Sequence, residues 1–124
     1  MLRSDLARYV RAAYATGNRE GLLATTSDDF TWHQHFATKS NEQPTGRVLN
    51  SIDELLTEIA WRKEHWSDVK YANLKERATT DLLVQTFTIT GTEDGTPFHA
   101  DAVDLYPIRN NRITRKDTYW KYLK

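Results

Sequence analysis

The stretch "FHADAVDLYPIRNNRITRKDTYW", residues 98–120, reads as two strands joined by a tight turn at Asn110-Asn111. Asparagine tolerates the left-handed backbone that a two-residue hairpin demands. Successive side chains of a strand point to opposite faces. Phe98, Ala100, Ala102, Asp104, Tyr106 and Ile108 therefore share one face. That face is apolar apart from the Asp104 carboxylate and the Tyr106 hydroxyl, so it is expected to be the inner one. A carboxylate buried without a partner is costly, which makes Asp104 the first residue to explain.

Working outward, the period-two pattern predicts four strands over roughly 69–79, 82–91, 97–108 and 112–122. Turn chemistry separates them at "TTD", "GTEDGT" and "RNN". Before them the pattern is helical. Leu6, Tyr9, Val10, Ala13 and Tyr14 recur at helical spacing in residues 4–16, with Ser4 as N-cap and Gly17-Asn18 as the stop. A short second helix covers "REGLLATTS" and closes at Asp28-Asp29. "FTWHQHF" (30–36) alternates, placing Phe30, Trp32, Gln34 and Phe36 opposite Thr31, His33 and His35. The 37–46 segment is polar with Pro44 and Gly46, and reads as a loop able to act as a lid. Ser51 and Glu54 form a capping box for a third helix with Ile52, Leu55, Leu56, Ile59 and Trp66 on its apolar stripe. Helices followed by an antiparallel meander predict an α+β fold, about three helices packed on a bent antiparallel sheet.

At 124 residues the chain is expected to form a single domain. Seventeen basic and 17 acidic residues cancel, which removes the electrostatic footprint of a nucleic-acid or anionic-membrane binder. With no cysteine, disulfides and thiolate chemistry are excluded. "MLRSDLARYV" lacks the apolar core of a secretory leader, and no apolar run approaches the ~20 residues of a membrane span. Cytoplasmic residence is the expectation.

This element order resembles the nuclear transport factor two-like superfamily, in particular its SnoaL-like and ketosteroid-isomerase-like members. The resemblance rests on "RYVRAAYATGNREGLLATTSDDFTW", on Gly46 before the third helix, and on "AVDLYPIRNNRITRKDTYW". It implies a cone with a mostly apolar pocket for a small apolar or aromatic organic ligand. It also implies a homodimer through the outer sheet face and reactions that need no cofactor or metal. The function expected is a small-molecule-binding protein, either an isomerase, cyclase or dehydratase moving protons at carbon, or a non-catalytic binding or dimerisation module.

The resemblance sets Asp104 where ketosteroid isomerases hold a neutral acid in the oxyanion hole. The rival is an ion pair between Asp104 and Lys116. The isomerase general base falls on Gln34, whose carboxamide cannot take up a proton near neutral pH. Tyr9 and Tyr14 are the candidate oxyanion donors, and Trp32, Gln34, Tyr106, Lys116, Thr118 and Trp120 the candidate ligand-binding set. Parity puts His99 and Asp101 on the outer face, so their use as an acid–base pair requires a β-bulge. His33 and His35 share that outer face. An acid in the place of Thr118 serves epoxide-hydrolase-like relatives, and Asp117, one residue away, is expected to point outward. Trp61 and "WRKEHW" read as a solvated helix end.

Overall fold

A computed structural model of the chain describes residues 3–36 and 46–123. In chain order the elements are α1 (Arg3–Thr16), α2 (Arg19–Thr25), β1 (Thr26–His35), β2 (Arg47–Leu49) and α3 (Ile52–His65). The long strands β3 (Trp66–Ala78), β4 (Leu82–Glu93), β5 (Thr96–Arg109) and β6 (Arg112–Tyr122) follow. They form one α+β architecture, a six-stranded sheet in the order β2-β1-β6-β5-β4-β3 with the helices against its inner face. The expected sheet is thus present, with one difference. β1 runs parallel to β6, while every other neighbouring pair is antiparallel. That pairing is non-local, and alternation within a single strand carries no information about its neighbour's direction.

Local chemistry sets most boundaries. Gly17 takes φ +64° and ends α1. Asn18 then caps α2, its side chain accepting from the Gly21 N–H at 3.1 Å. α2 stops at Thr25, short of the expected Asp28-Asp29. The Thr25 hydroxyl bonds back to Gly21 O at 2.8 Å and that of Thr26 to Leu22 O at 2.7 Å, so these β-branched residues turn the chain out of the helix. Ser51 caps α3 as expected, accepting from Glu54 N at 3.1 Å. The Glu54 carboxylate reaches back to Asn50 N. Trp66 leaves the helical stripe where the sequence placed it. It starts β3 instead, with its indole N–H donating to buried Glu93 at 2.9 Å.

The hairpins close on Asp94-Gly95 and Asn110-Asn111, all four residues with positive φ. Two more such residues, Asp68 and Asn73, sit at the register shifts of β3, and a further shift separates Leu105 from Ile108. These bulges bend the sheet so that it curls round the helices as a cone. The core beneath it joins Leu6, Val10 and Ala13 of α1 to Ile52, Leu55 and Ile59 of α3, and to Trp32 and Ile113. Tyr9 is not part of it. It is 56% exposed, because Ala7 rather than Tyr9 completes the buried stripe of α1. The Ser4 side chain and the expected 37–46 lid, up to residue 45, lie outside the described residues. No helix among the described residues is long and apolar enough to cross a membrane.

Candidate functional site

Strand register lines up a polar row across the inner face of the sheet. Gln34 of β1 stands opposite Thr118 of β6, Thr118 opposite Asp104 of β5, and Asp104 opposite Gln85 of β4. All four are buried, with Asp104 only 5% exposed. The inner-face assignment of Asp104 from parity is therefore correct.

Hydrogen bonds fix how that carboxylate is held. The Trp32 indole, which can only donate, gives its N–H to Thr118 Oγ1 at 2.9 Å. The single hydroxyl proton of Thr118 is thereby left for Asp104 Oδ1, at 2.5 Å. On the other oxygen, the Tyr106 hydroxyl donates at 3.5 Å. Burial first, and the neighbouring Asp104 second, push the Tyr106 phenol well up from its ordinary value, so it keeps the proton it donates. Two hydroxyl donors thus converge on one carboxyl group, one on each oxygen.

The rival ion pair between Asp104 and Lys116 does not form. Lys116 is 5% exposed, and no described carboxylate lies within 4.0 Å of its ammonium. Its Nζ instead sits 3.6 Å from the ring centre of Tyr14, 4.3 Å from that of Trp32 and 6.0 Å from that of Tyr106. Burial lowers its pKa from 10.5 to about 8, helped by the Arg62 charge and opposed by Asp104.

Arg62 is the residue the sequence reading left in solvent. Its side chain is only 11% exposed, with Nε donating to Glu58 Oε2 at 3.1 Å and Nη1 to the Tyr14 hydroxyl at 3.1 Å. The guanidinium lies 4.3 Å from the Trp66 ring and 4.9 Å from that of Trp32. Glu58 is fully occupied, accepting also from Gln34 Nε2 at 3.2 Å and from Arg47. Burial raises the Tyr14 pKa, and the Arg62 charge works against that rise.

These groups face one cavity of about 880 Å³, bounded by α1, the end of α3, and β3 to β6. Asp104, Tyr106, Lys116, Tyr14, Arg62 and Gln85 all contribute to its wall, which is otherwise mostly apolar. Among the described residues two buried side-chain atoms lack a partner, Arg62 Nη2 and Gln85 Nε2. Both residues line this cavity. Unmatched buried donors are costly, and acceptor atoms of a molecule in the cavity would satisfy them.

Other expected residues fall elsewhere. Trp32, Gln34 and Thr118 stand behind the wall and hold Arg62, Glu58 and Asp104. Trp120 stacks on Phe36 at 4.4 Å and joins Phe98 and Trp66 in an aromatic cluster. Trp61 stacks on His65 at 4.4 Å. Tyr9 is on the exposed side of α1. β4 and β5 pair from Leu82 to Glu93 without a register shift, so no bulge turns His99 and Asp101 inward. Both are exposed, and Asp101 accepts from Thr88 at 2.9 Å. On the outer face His33, His35 and Asp117 bring their ring nitrogens and carboxylate within 4.8 Å of one another. Asp117 is held by Arg115 at 2.8 Å and faces His35 at 3.7 Å, which makes this an ion-pair cluster apart from the cavity.

Known proteins agree with this architecture. The family model described as a SnoaL-like domain matches residues 6–116. No curated protein matches the chain by sequence. Among solved structures, a nuclear transport factor 2-like protein of Burkholderia xenovorans superposes with a TM-score of 0.79 at 19% identity, over 95% of this chain and 88% of that one. IdmH of Streptomyces antibioticus, named as a candidate polyketide cyclase, superposes with a TM-score of 0.68 at 17% identity, over 98% of this chain and 93% of its own. A protein of ketosteroid-isomerase-like fold from Catenulispora acidiphila, solved with trimethylamine, gives 0.70 at 19% identity, over 94% of this chain and 85% of that one. At such identities the likeness is one of fold.

Proposed function

The chain belongs to the SnoaL-like domain family, and from that premise we propose that it binds a small organic carbonyl compound and moves a proton at carbon without a cofactor. Isomerisation, cyclisation and dehydration share this chemistry. Asp104 takes the proton from the carbon next to the carbonyl and returns it, while Tyr14 and Arg62 stabilise the oxyanion that develops. The observation that carries the reading is one cavity with the Asp104 carboxyl group on its sheet wall and the Tyr14 and Arg62 donors on the helices opposite. Catalysis of proton transfer needs both kinds of group, and a pure binder does not. The Gln34 carboxamide holds Glu58, and through it Arg62, so the absent isomerase base leaves Asp104 as the acceptor. A homodimer through the outer sheet face, where Tyr119 stays 44% exposed, belongs to the same proposal and is tested by light scattering.

Asp104→Asn keeps the shape and removes the charge. Exchange of α-protons for deuterium in an enolisable cyclic ketone, followed by NMR, is expected to slow by about 100-fold or more, the usual range for a lost general base. Tryptophan quenching by a planar phenol should meanwhile be kept or strengthened, because an anion next to the bound oxygen is gone. Equal exchange in both proteins sinks the catalytic role of Asp104. Phenol binding with no exchange in the wild type favours the binding-module reading.

A further inference from the structure

We propose that Lys116 is an amine nucleophile, forming an iminium with the carbonyl carbon of a small ketone or aldehyde bound in the cavity. The inference rests on the reading that the cavity admits such a compound, and adds to it a covalent step.

Placement comes first. Lys116 stands opposite Trp32 in the β1–β6 register and two residues before Thr118, the partner of Asp104. Two residues along a strand span about 7 Å, and the amine and the carboxyl group both line the cavity. Lys116 is the buried lysine among the described residues, and its nitrogen meets aromatic faces where a structural lysine would meet a carboxylate. Aromatic faces attract the ammonium but do not accept its protons as a carboxylate does. Desolvation and the nearby Arg62 cation both release the proton and free the lone pair, the two ways proteins activate lysine for imine chemistry.

The step balances within the cavity. The neutral amine attacks the carbonyl carbon, a C–N bond forms and the carbonyl π pair moves to oxygen. The ammonium proton of the adduct passes to Asp104. Oxygen takes protons from Asp104 and solvent and leaves as water as the nitrogen lone pair closes C=N⁺. The sum is carbonyl plus amine plus one proton, giving iminium plus water. The iminium acidifies the neighbouring C–H, which returns the chemistry to the Asp104 carboxylate.

A 1,3-diketone is the test, since its imine rearranges to a stable vinylogous amide with its own near-ultraviolet absorbance. Pentane-2,4-dione would be added to wild type and Lys116→Met, each checked for native circular dichroism. Absorbance, intact mass and peptide mapping report the adduct, and tryptophan quenching reports non-covalent binding. The expected result is one equivalent on Lys116 in the wild type, with a rate that rises through about pH 8. At pH 7 it should exceed the rate at exposed lysines by about 300-fold, from their difference in neutral-amine fraction. Lys116→Met should lose this phase. Saturable quenching without adduct overturns the nucleophile and leaves the binding cavity standing. Neither quenching nor adduct overturns both. Slow labelling spread equally over the exposed lysines of both proteins also overturns it.

Discussion

Gly46→Ala is expected to lower folding stability by about 3 kcal/mol, read as a shift of the urea midpoint with an unchanged slope. Gly46 holds φ +76° just before β2. A methyl group there would sit 1.6 Å from the Gln34 carbonyl oxygen, 2.7 Å from its carbon and 3.2 Å from the Cα of His35. All three are backbone atoms, so no side chain can swing aside. Either β2 lets go of β1 or β1 moves. Gln34 pairs with Arg47 at this point, and Gln34 and Arg47 both hold Glu58, which holds Arg62. The substitution should therefore weaken phenol binding in whatever protein stays folded. Gly17 and Gly95 also have positive φ, but nothing lies within 4 Å of an added Cβ. Alanine there costs about 1 kcal/mol of backbone strain alone. A loss at Gly46 no greater than at Gly95 would show that β2 yields freely, and would detach Gly46 from the site.

Those contrasts mark what a sequence can disclose. Alternation along residues 98–120 was enough to put Asp104 and Tyr106 on the inner face, because one buried face imposes a period of two. The two asparagines announced their hairpin through the same left-handed backbone the structure shows. Trp66 was misread because a tryptophan fits both the end of a helical stripe and the start of a strand. β2 was missed because three residues carry too little pattern. Arg62 is the instructive omission. It follows Ile52, Leu55 and Ile59 at helical spacing, so periodicity placed it inward, but its charge argued for solvent. Only tertiary structure shows that Glu58, Tyr14 and two indole faces receive it. Gln85 likewise shares parity with buried Leu83 and Ile89. Of the two hydroxyls on Asp104, Tyr106 is two residues away on the same strand face and legible from parity, while Thr118, 14 positions on in β6, and the Trp32 indole of β1 that orients it required the tertiary pairing.

Lys116→Met is expected to stabilise the protein by about 2 kcal/mol at pH 7, with a gain that fades as pH rises from 8 to 10.5. The folded-state pKa of Lys116 is depressed from 10.5 to about 8. Below pH 8 both folded and unfolded chains carry the proton, and the folded state bears the full burial penalty. Between 8 and 10.5 the unfolded chain still binds a proton that the folded chain has shed, so wild-type stability climbs with pH. A shift of this size corresponds to about 3 kcal/mol over that window. Methionine has nothing to titrate and similar bulk, so its stability lacks that climb. Tyr14 and Tyr106 act in the opposite direction. Their raised values mean that the unfolded chain loses phenol protons first above about pH 10, which weakens folding there. Both proteins share that loss, and the difference between their urea midpoints across pH isolates the lysine. A constant difference, or a methionine variant less stable at pH 7, would make Lys116 a contented cation held by its rings. It would also remove the ground for its nucleophilic role. The expected slope instead describes a fold that tolerates an unpaired amine in its interior, beside a carboxylate and an open cavity, where packing alone would favour methionine.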